Sequence, residues 1–109
     1  MSKSLKRVKS ALSAADAQIP VIETGAATTA LAAAKTLGCD IDQIAKSIIF
    51  EGRKSHKLYL FVTAGSKRVS LEQATLLTGE RILKAGSEDI RRITGFAIGG
   101  VSTVGHLSP

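Results

Sequence analysis

The sequence has little of what small domains use to staple themselves together. Its 109 residues contain one cysteine, Cys39, so an internal disulfide is excluded. The two histidines, His56 and His106, lie far apart with no cysteine or acid at metal-ligand spacing, so neither a structural nor a catalytic zinc is expected, and no other cofactor. Tryptophan is absent, and with three Phe and one Tyr the core must rest on Ile, Leu, Val and Ala. No apolar run is long enough to span a bilayer, and the basic N-terminus has no apolar stretch behind it as a secretory signal would. These absences lead us to expect a cytoplasmic protein with no membrane partner. Phosphate-binding Gly-x-x-x-x-Gly-Lys-Ser/Thr loops and Gly-x-Ser-x-Gly nucleophile elbows are missing too.

What the chain does have is positive charge, unevenly placed. Fifteen Lys and Arg face nine Asp and Glu, a net charge of +6. Lys3, Lys6, Arg7 and Lys9 form one cluster without an acid; Arg53, Lys54, Lys57, Lys67 and Arg68 form another. Such clusters suit a polyanionic partner, because Lys and Arg displace counterions from phosphates, although a solvated face that aids solubility has the same composition.

Periodicity divides the chain into an α+β order that reads as a single domain over residues 1–109. Leu5, Val8 and Leu12 recur at helical spacing, opposite the lysines and Arg7. After Pro20, residues 21–24 read as a short strand and residues 28–37 as an Ala-rich helix ended by Gly38. Asp40 and Gln43 have the spacing of a capping box. Ala45–Glu51 and Lys57–Ala64 read as strands of a hairpin with a basic tip. Ser70 opens a helix that stops at Gly79, Arg81–Lys84 is a strand, and Ser87 caps a last helix that stops at Gly95. Phe96–Ile98 reads as a final strand running into Gly99-Gly100, with nothing after it to cover its edge. That leaves an exposed arm or an incomplete sheet, whose open edge could pair with a second copy of the chain.

Three places could carry chemistry. Lys46 begins an apolar strand on the face of Ile48 and Phe50, where its ammonium either snorkels outward or points into a cleft. Gly99-Gly100, followed by Val101 and Ser102, is either a tight turn or a loop whose amides meet an anion or an oxyanion. Residues 63–69, with Lys67 and Arg68 beside Gly65, could hold a phosphate or be a solvated loop. Ser102 and His106 are four residues apart, but no acid completes a triad with them. Cys39 follows a helix-ending glycine and reads as structural.

In combination these pieces resemble a known family. Ala33-Ala34-Lys35-Thr36-Leu37-Gly38-Cys39 and Gln43-Ile44-Ala45-Lys46-Ser47-Ile48-Ile49-Phe50 look like the first half of a YbaK-type, prolyl-tRNA synthetase-associated editing domain. Val62-Thr63-Ala64-Gly65 with Arg68-Val69 resembles its central strand and turn. Ile93-Thr94-Gly95-Phe96-Ala97-Ile98-Gly99-Gly100-Val101 with Gly105-His106 resembles its signature loop.

The resemblance implies a mixed sheet curled into a barrel-like core flanked by helices, left incomplete at the C-terminal end. It implies hydrolysis of the ester joining a wrongly attached amino acid to the 3′ end of transfer RNA, with a synthetase as a further partner. Lys46 matches the family's essential lysine, and Gly99 and Gly100 match the loop that fixes the substrate carbonyl. Thr63, Gly65, Arg68, Val101, Ser102 and His106 are the expected substrate-binding residues. The attacking water would be oriented by the ribose hydroxyl of the substrate itself. Thr103 stands where the family loop usually has proline, and family members continue past this point with further strands. A non-catalytic module of the same fold, binding transfer RNA or a synthetase, is the alternative.

Overall fold

The computed structural model describes residues 3–22 and 29–108. Among the described residues four helices and three strands follow in the order α1 (Lys3–Ala14), α2 (Ala30–Leu37), β1 (Ala45–Gly52), β2 (Leu58–Ala64), α3 (Leu71–Thr78), β3 (Ile82–Lys84) and α4 (Ser87–Thr94), with a 3-10 turn at Ile41–Gln43 before β1. Local chemistry explains most boundaries. The Thr29 hydroxyl accepts from the Ala32 amide at the start of α2, and the Ser70 hydroxyl accepts from the Gln73 amide at the start of α3. Gln43 Oε1 accepts from the Asp40 amide at 2.9 Å, one arm of the capping box read from the sequence. The last helix is capped one residue earlier than expected, at Gly86 rather than Ser87.

The hairpin forms as its alternation requires. β1 pairs antiparallel with β2 from Ala45↔Ala64 to Glu51↔Leu58, and β3 pairs antiparallel on the other side of β1. Both faces of β1 are covered. On one, Ile49 packs with Ala85 and Ile90 of α4, joined by Leu58, Leu60 and Val101. On the other, Phe50 packs with Ala74 of α3 and Ile82, joined by Ile48, Tyr59, Phe61 and Val69. Phe50 and Phe61 meet edge to face, with centroids 5.6 Å apart. A strand buried on both sides has to be apolar without alternation, which accounts for the run Ile48-Ile49-Phe50.

Several expectations need correction. The sheet is neither mixed nor curled into a barrel: among the described residues it is three antiparallel strands, open at β2 and at β3. Phe96–Ile98 is not a strand, so the sheet edge expected there for a second copy does not exist. Its backbone is spent locally: the Thr94 hydroxyl accepts from the Phe96 amide at 3.1 Å, and the Gly100 amide donates to the Ala97 carbonyl at 2.9 Å. Phe96 is buried while Ile98 is 63% exposed, a pattern a turn satisfies and a core strand does not. Val21 and Ile22 are exposed and outside any strand; the rest of that expected strand, Gly25 and the expected helix start at Thr28 lie outside the described residues.

Nor are residues 101–108 an exposed arm. The Leu107 amide donates to the Thr94 carbonyl at 3.0 Å and the Ser108 amide to the Ile93 carbonyl at 3.1 Å, folding the tail back over the end of α4. α1 closes over the same place. Arg7 leaves the solvated face expected of it: Nη1 donates to the Gly95 carbonyl at 2.9 Å and the guanidinium lies 5.5 Å from the Phe96 ring centroid.

Candidate active site

Lys46 stands one residue inside β1, directly across from Thr63 in β2. The hairpin register therefore sets the lysine beside the end of β2 and the turn that follows it. Its Nζ donates to the Gly65 carbonyl at 3.1 Å and to the Lys67 carbonyl at 2.8 Å. An ammonium has three hydrogens, so the turn takes two and leaves one for another acceptor. The lysine neither snorkels freely nor reaches across the cleft; it is clamped to the turn at the cleft edge.

That turn is itself held down. Asp42, in the 3-10 turn, accepts from the Ser66 amide at 3.0 Å and from the Ser66 hydroxyl. These two bonds, helped by the nearby charges of Lys67 and Lys46, hold the Asp42 carboxyl below the usual carboxylate range against a smaller opposing effect of burial. Gly65 is obligatory for a steric reason: a Cβ there would run into the Ile41 carbonyl oxygen and lie 3.1 Å from the Ala30 Cβ.

Lys46 and Gly65 border a cleft of about 560 Å³, within the range of small-ligand sites. Its walls come from the start of α2 (Thr29, Ala30, Leu31), from Ile41 and Ile44, and from Ile48. Gly99 and Val101 close it from the other end of the chain. Gly99 has φ +84°, the left-handed region in which a glycine costs nothing. The cleft thus joins residues separated by about half the sequence.

Not every expected residue reaches it. Gly100 is outside the lining and its amide is committed to Ala97. Arg68 is exposed beyond the turn, and Thr63 adjoins Lys46 on the sheet without lining the cleft. Ser102 and His106 do meet, but through the wrong atom for a nucleophile and base: His106 Nε2 lies 2.5 Å from the Ser102 carbonyl oxygen. The Ser102 hydroxyl accepts from the Val104 amide at 3.0 Å, and the His106 ring packs against Phe96 at 5.5 Å between centroids. Both belong to the folded-back tail. Conversely, sequence reasoning passed over Asp42 and the first turn of α2. The Ala-rich helix was legible, with its start expected at Thr28 rather than after a cap at Thr29, and its position over β1 depends on tertiary packing.

A larger depression, about 1070 Å³, runs between the hairpin tip, α3 and β3, bordered by Arg53, Leu76 and Leu83. It contains none of Lys46, Gly65 or Gly99, so size alone does not mark the site.

A scan against protein families matches residues 24–108 to the aminoacyl-tRNA editing domain. The chain belongs to that family. Its fold is similar to that of a candidate trans-editing enzyme for prolyl-tRNA synthetase, at 41% identity and TM-score 0.90, over 100% of this chain and 69% of that one. A scaffold protein from computational epitope-backbone grafting is similar at 37% identity and TM-score 0.89, over 100% of this chain and 70% of that one. A protein described only as hypothetical is similar at 25% identity and TM-score 0.84, over 92% of this chain and 67% of that one. No curated protein matches the chain. Among the described residues, no helix is long and apolar enough to cross a membrane.

Proposed function

We propose that this editing domain hydrolyses the ester between a wrongly attached amino acid and the 3′-terminal ribose of transfer RNA, acting in trans in the cytoplasm. The observation that carries the reading is the convergence of Lys46, Gly65 and Gly99 on one cleft. The remaining Lys46 hydrogen would meet the terminal phosphate or the ester carbonyl, and the backbone at Gly99 would hold that carbonyl as charge develops on its oxygen. Gly100, with its amide already bonded to Ala97, would contribute loop shape rather than a hydrogen bond.

An aminoacyl ester is already activated, so a positioned water and a stabilised oxyanion suffice. The ribose hydroxyl next to the ester would orient that water, so the reaction needs no side-chain base. Lys67 and Arg68, exposed beside the Gly65 turn, would meet phosphates of the entering strand. The similarity to a candidate trans-editing enzyme for prolyl-tRNA synthetase makes mischarged proline transfer RNA the first substrate to try, and that synthetase the first partner.

The test is deacylation of a panel of charged transfer RNAs, with alanine, cysteine or proline on proline transfer RNA among them. The expected result is turnover of a mischarged species and sparing of the correctly charged one. A folded chain that binds transfer RNA but releases no amino acid from any member would instead be a binding module.

A further inference from the structure

We propose that Asp42 is a positioning residue for Lys46, acting through the turn at residues 65–67. Lys46 Nζ is held by two carbonyl acceptors, Gly65 and Lys67. A lysine has a flexible four-carbon stem, so its head is only as fixed as what it is bonded to. The turn bearing those carbonyls is exposed at Ser66 and Lys67, and one bond of its own, from the Lys67 amide to the Ala64 carbonyl at 2.9 Å, closes it.

What orients it from outside is Asp42, which grips Ser66 between the two carbonyls by both amide and hydroxyl. Gly65 seats the same turn against the Ile41 backbone, leaving no room for a side chain. The 3-10 turn at Ile41–Gln43 and the lysine four residues after Asp42 thus hold the 65–67 turn from two sides. Asp42 touches no substrate in this scheme; without it, Ser66 turns to water and the two acceptors lose their fixed direction.

The kinetic arm of the test rests on the deacylase reading; a chemical arm does not. In the chemical arm, lysines of the full chain are reductively methylated and the rate at each is read by mass spectrometry. Asp42→Ala is expected to raise the Lys46 rate several-fold while leaving Lys84, at the far end of the sheet, unchanged. Ser66→Ala, which keeps the amide bond to Asp42, should shift it less in the same direction, and it carries the test if Asp42→Ala does not fold.

In the kinetic arm, Asp42→Ala is expected to lower deacylation kcat by about 10- to 100-fold, the scale of misplacing a catalytic group by about an ångström, with KM little changed. Asp42→Asn, which keeps an acceptor, should recover part of the loss. In a Lys46→Ala background Asp42→Ala should cost nothing further. An unchanged Lys46 methylation rate in a folded Asp42→Ala or Ser66→Ala chain overturns the proposal. So does an undiminished kcat in Asp42→Ala, or a full additional loss in the Lys46→Ala background. Absence of turnover in the unmutated chain would sink the deacylase reading alone, with the methylation rates still deciding the role of Asp42.

Discussion

Glu80 shows how much a single carboxylate can organise without leaving a trace in its neighbours in sequence. Its two oxygens accept from the Lys54 and Ser55 amides at 2.9 Å each, and from the Ser55 and Tyr59 hydroxyls at 2.7 Å each. The bonds from Ser55, first from its hydroxyl and then its amide, followed by that from Tyr59, pull the Glu80 pKa down to about 2. Because the folded value lies below the ordinary one of 4.5, the stabilisation is complete above about pH 4.5 and disappears as pH falls towards 2. The melting temperature should therefore drop through that window, and Glu80→Gln should flatten the drop. Asp42, lowered for the same kind of reason, leaves a smaller dependence in the variant. Melting curves from pH 6 to pH 2 check this; parallel slopes for both chains would contradict it. Lys46 was legible because a lysine at the head of an apolar strand is conspicuous. Glu80 and Asp42 were not, because their partners lie more than twenty residues away and only strand pairing brings them near, β1 with β3 for Glu80 and β1 with β2 for Asp42.

At the scale of elements, the sequence spoke most clearly where a backbone signal was local. The glycines at 38, 79 and 95 end three helices with left-handed φ, and Ser70 begins one of them. The hairpin was equally plain. Phe96–Ile98 misled because three apolar residues before two glycines look alike in a strand and in a buried turn; only Phe96 is buried, beneath Arg7 and beside His106. The amphipathic pattern of α1 was right in outline but misplaced Arg7, whose stem and head cover that turn. Arg7→Ala should accordingly destabilise the fold by about 2 kcal/mol, from one charge-assisted hydrogen bond and a partly shielded cation–π contact. Lys6→Ala, on the exposed side of the same helix, should change stability by less than about 0.5 kcal/mol. Urea titrations of the two variants separate these outcomes, and equal effects would contradict the docking of α1 through Arg7.

On the scale of the molecule, α3 and α4 cover opposite faces of an open three-stranded sheet, and the cleft forms where β1 begins. The charge clusters seen in the sequence are thereby separated. Lys67 and Arg68 stand beside the cleft, whereas Arg53 and Lys54 lie at the other end of β1, about 23 Å away at strand rise. One cluster in the sequence is two places in space, and only the first is near the proposed chemistry. The α+β class was readable from element order; the open antiparallel sheet was not, because the expected barrel turned on which strands pair, and pairing is a long-range property. Ester hydrolysis at the proposed cleft joining Lys46 to Gly99 is tested most directly by single-turnover deacylation by the unmutated chain and by Lys46→Ala at equal folded concentration. Lys46→Ala is expected to lose about a hundred- to a thousand-fold in rate, as for removal of one donor to a developing oxyanion. Deacylation at an undiminished rate by Lys46→Ala would place the reaction elsewhere in the molecule.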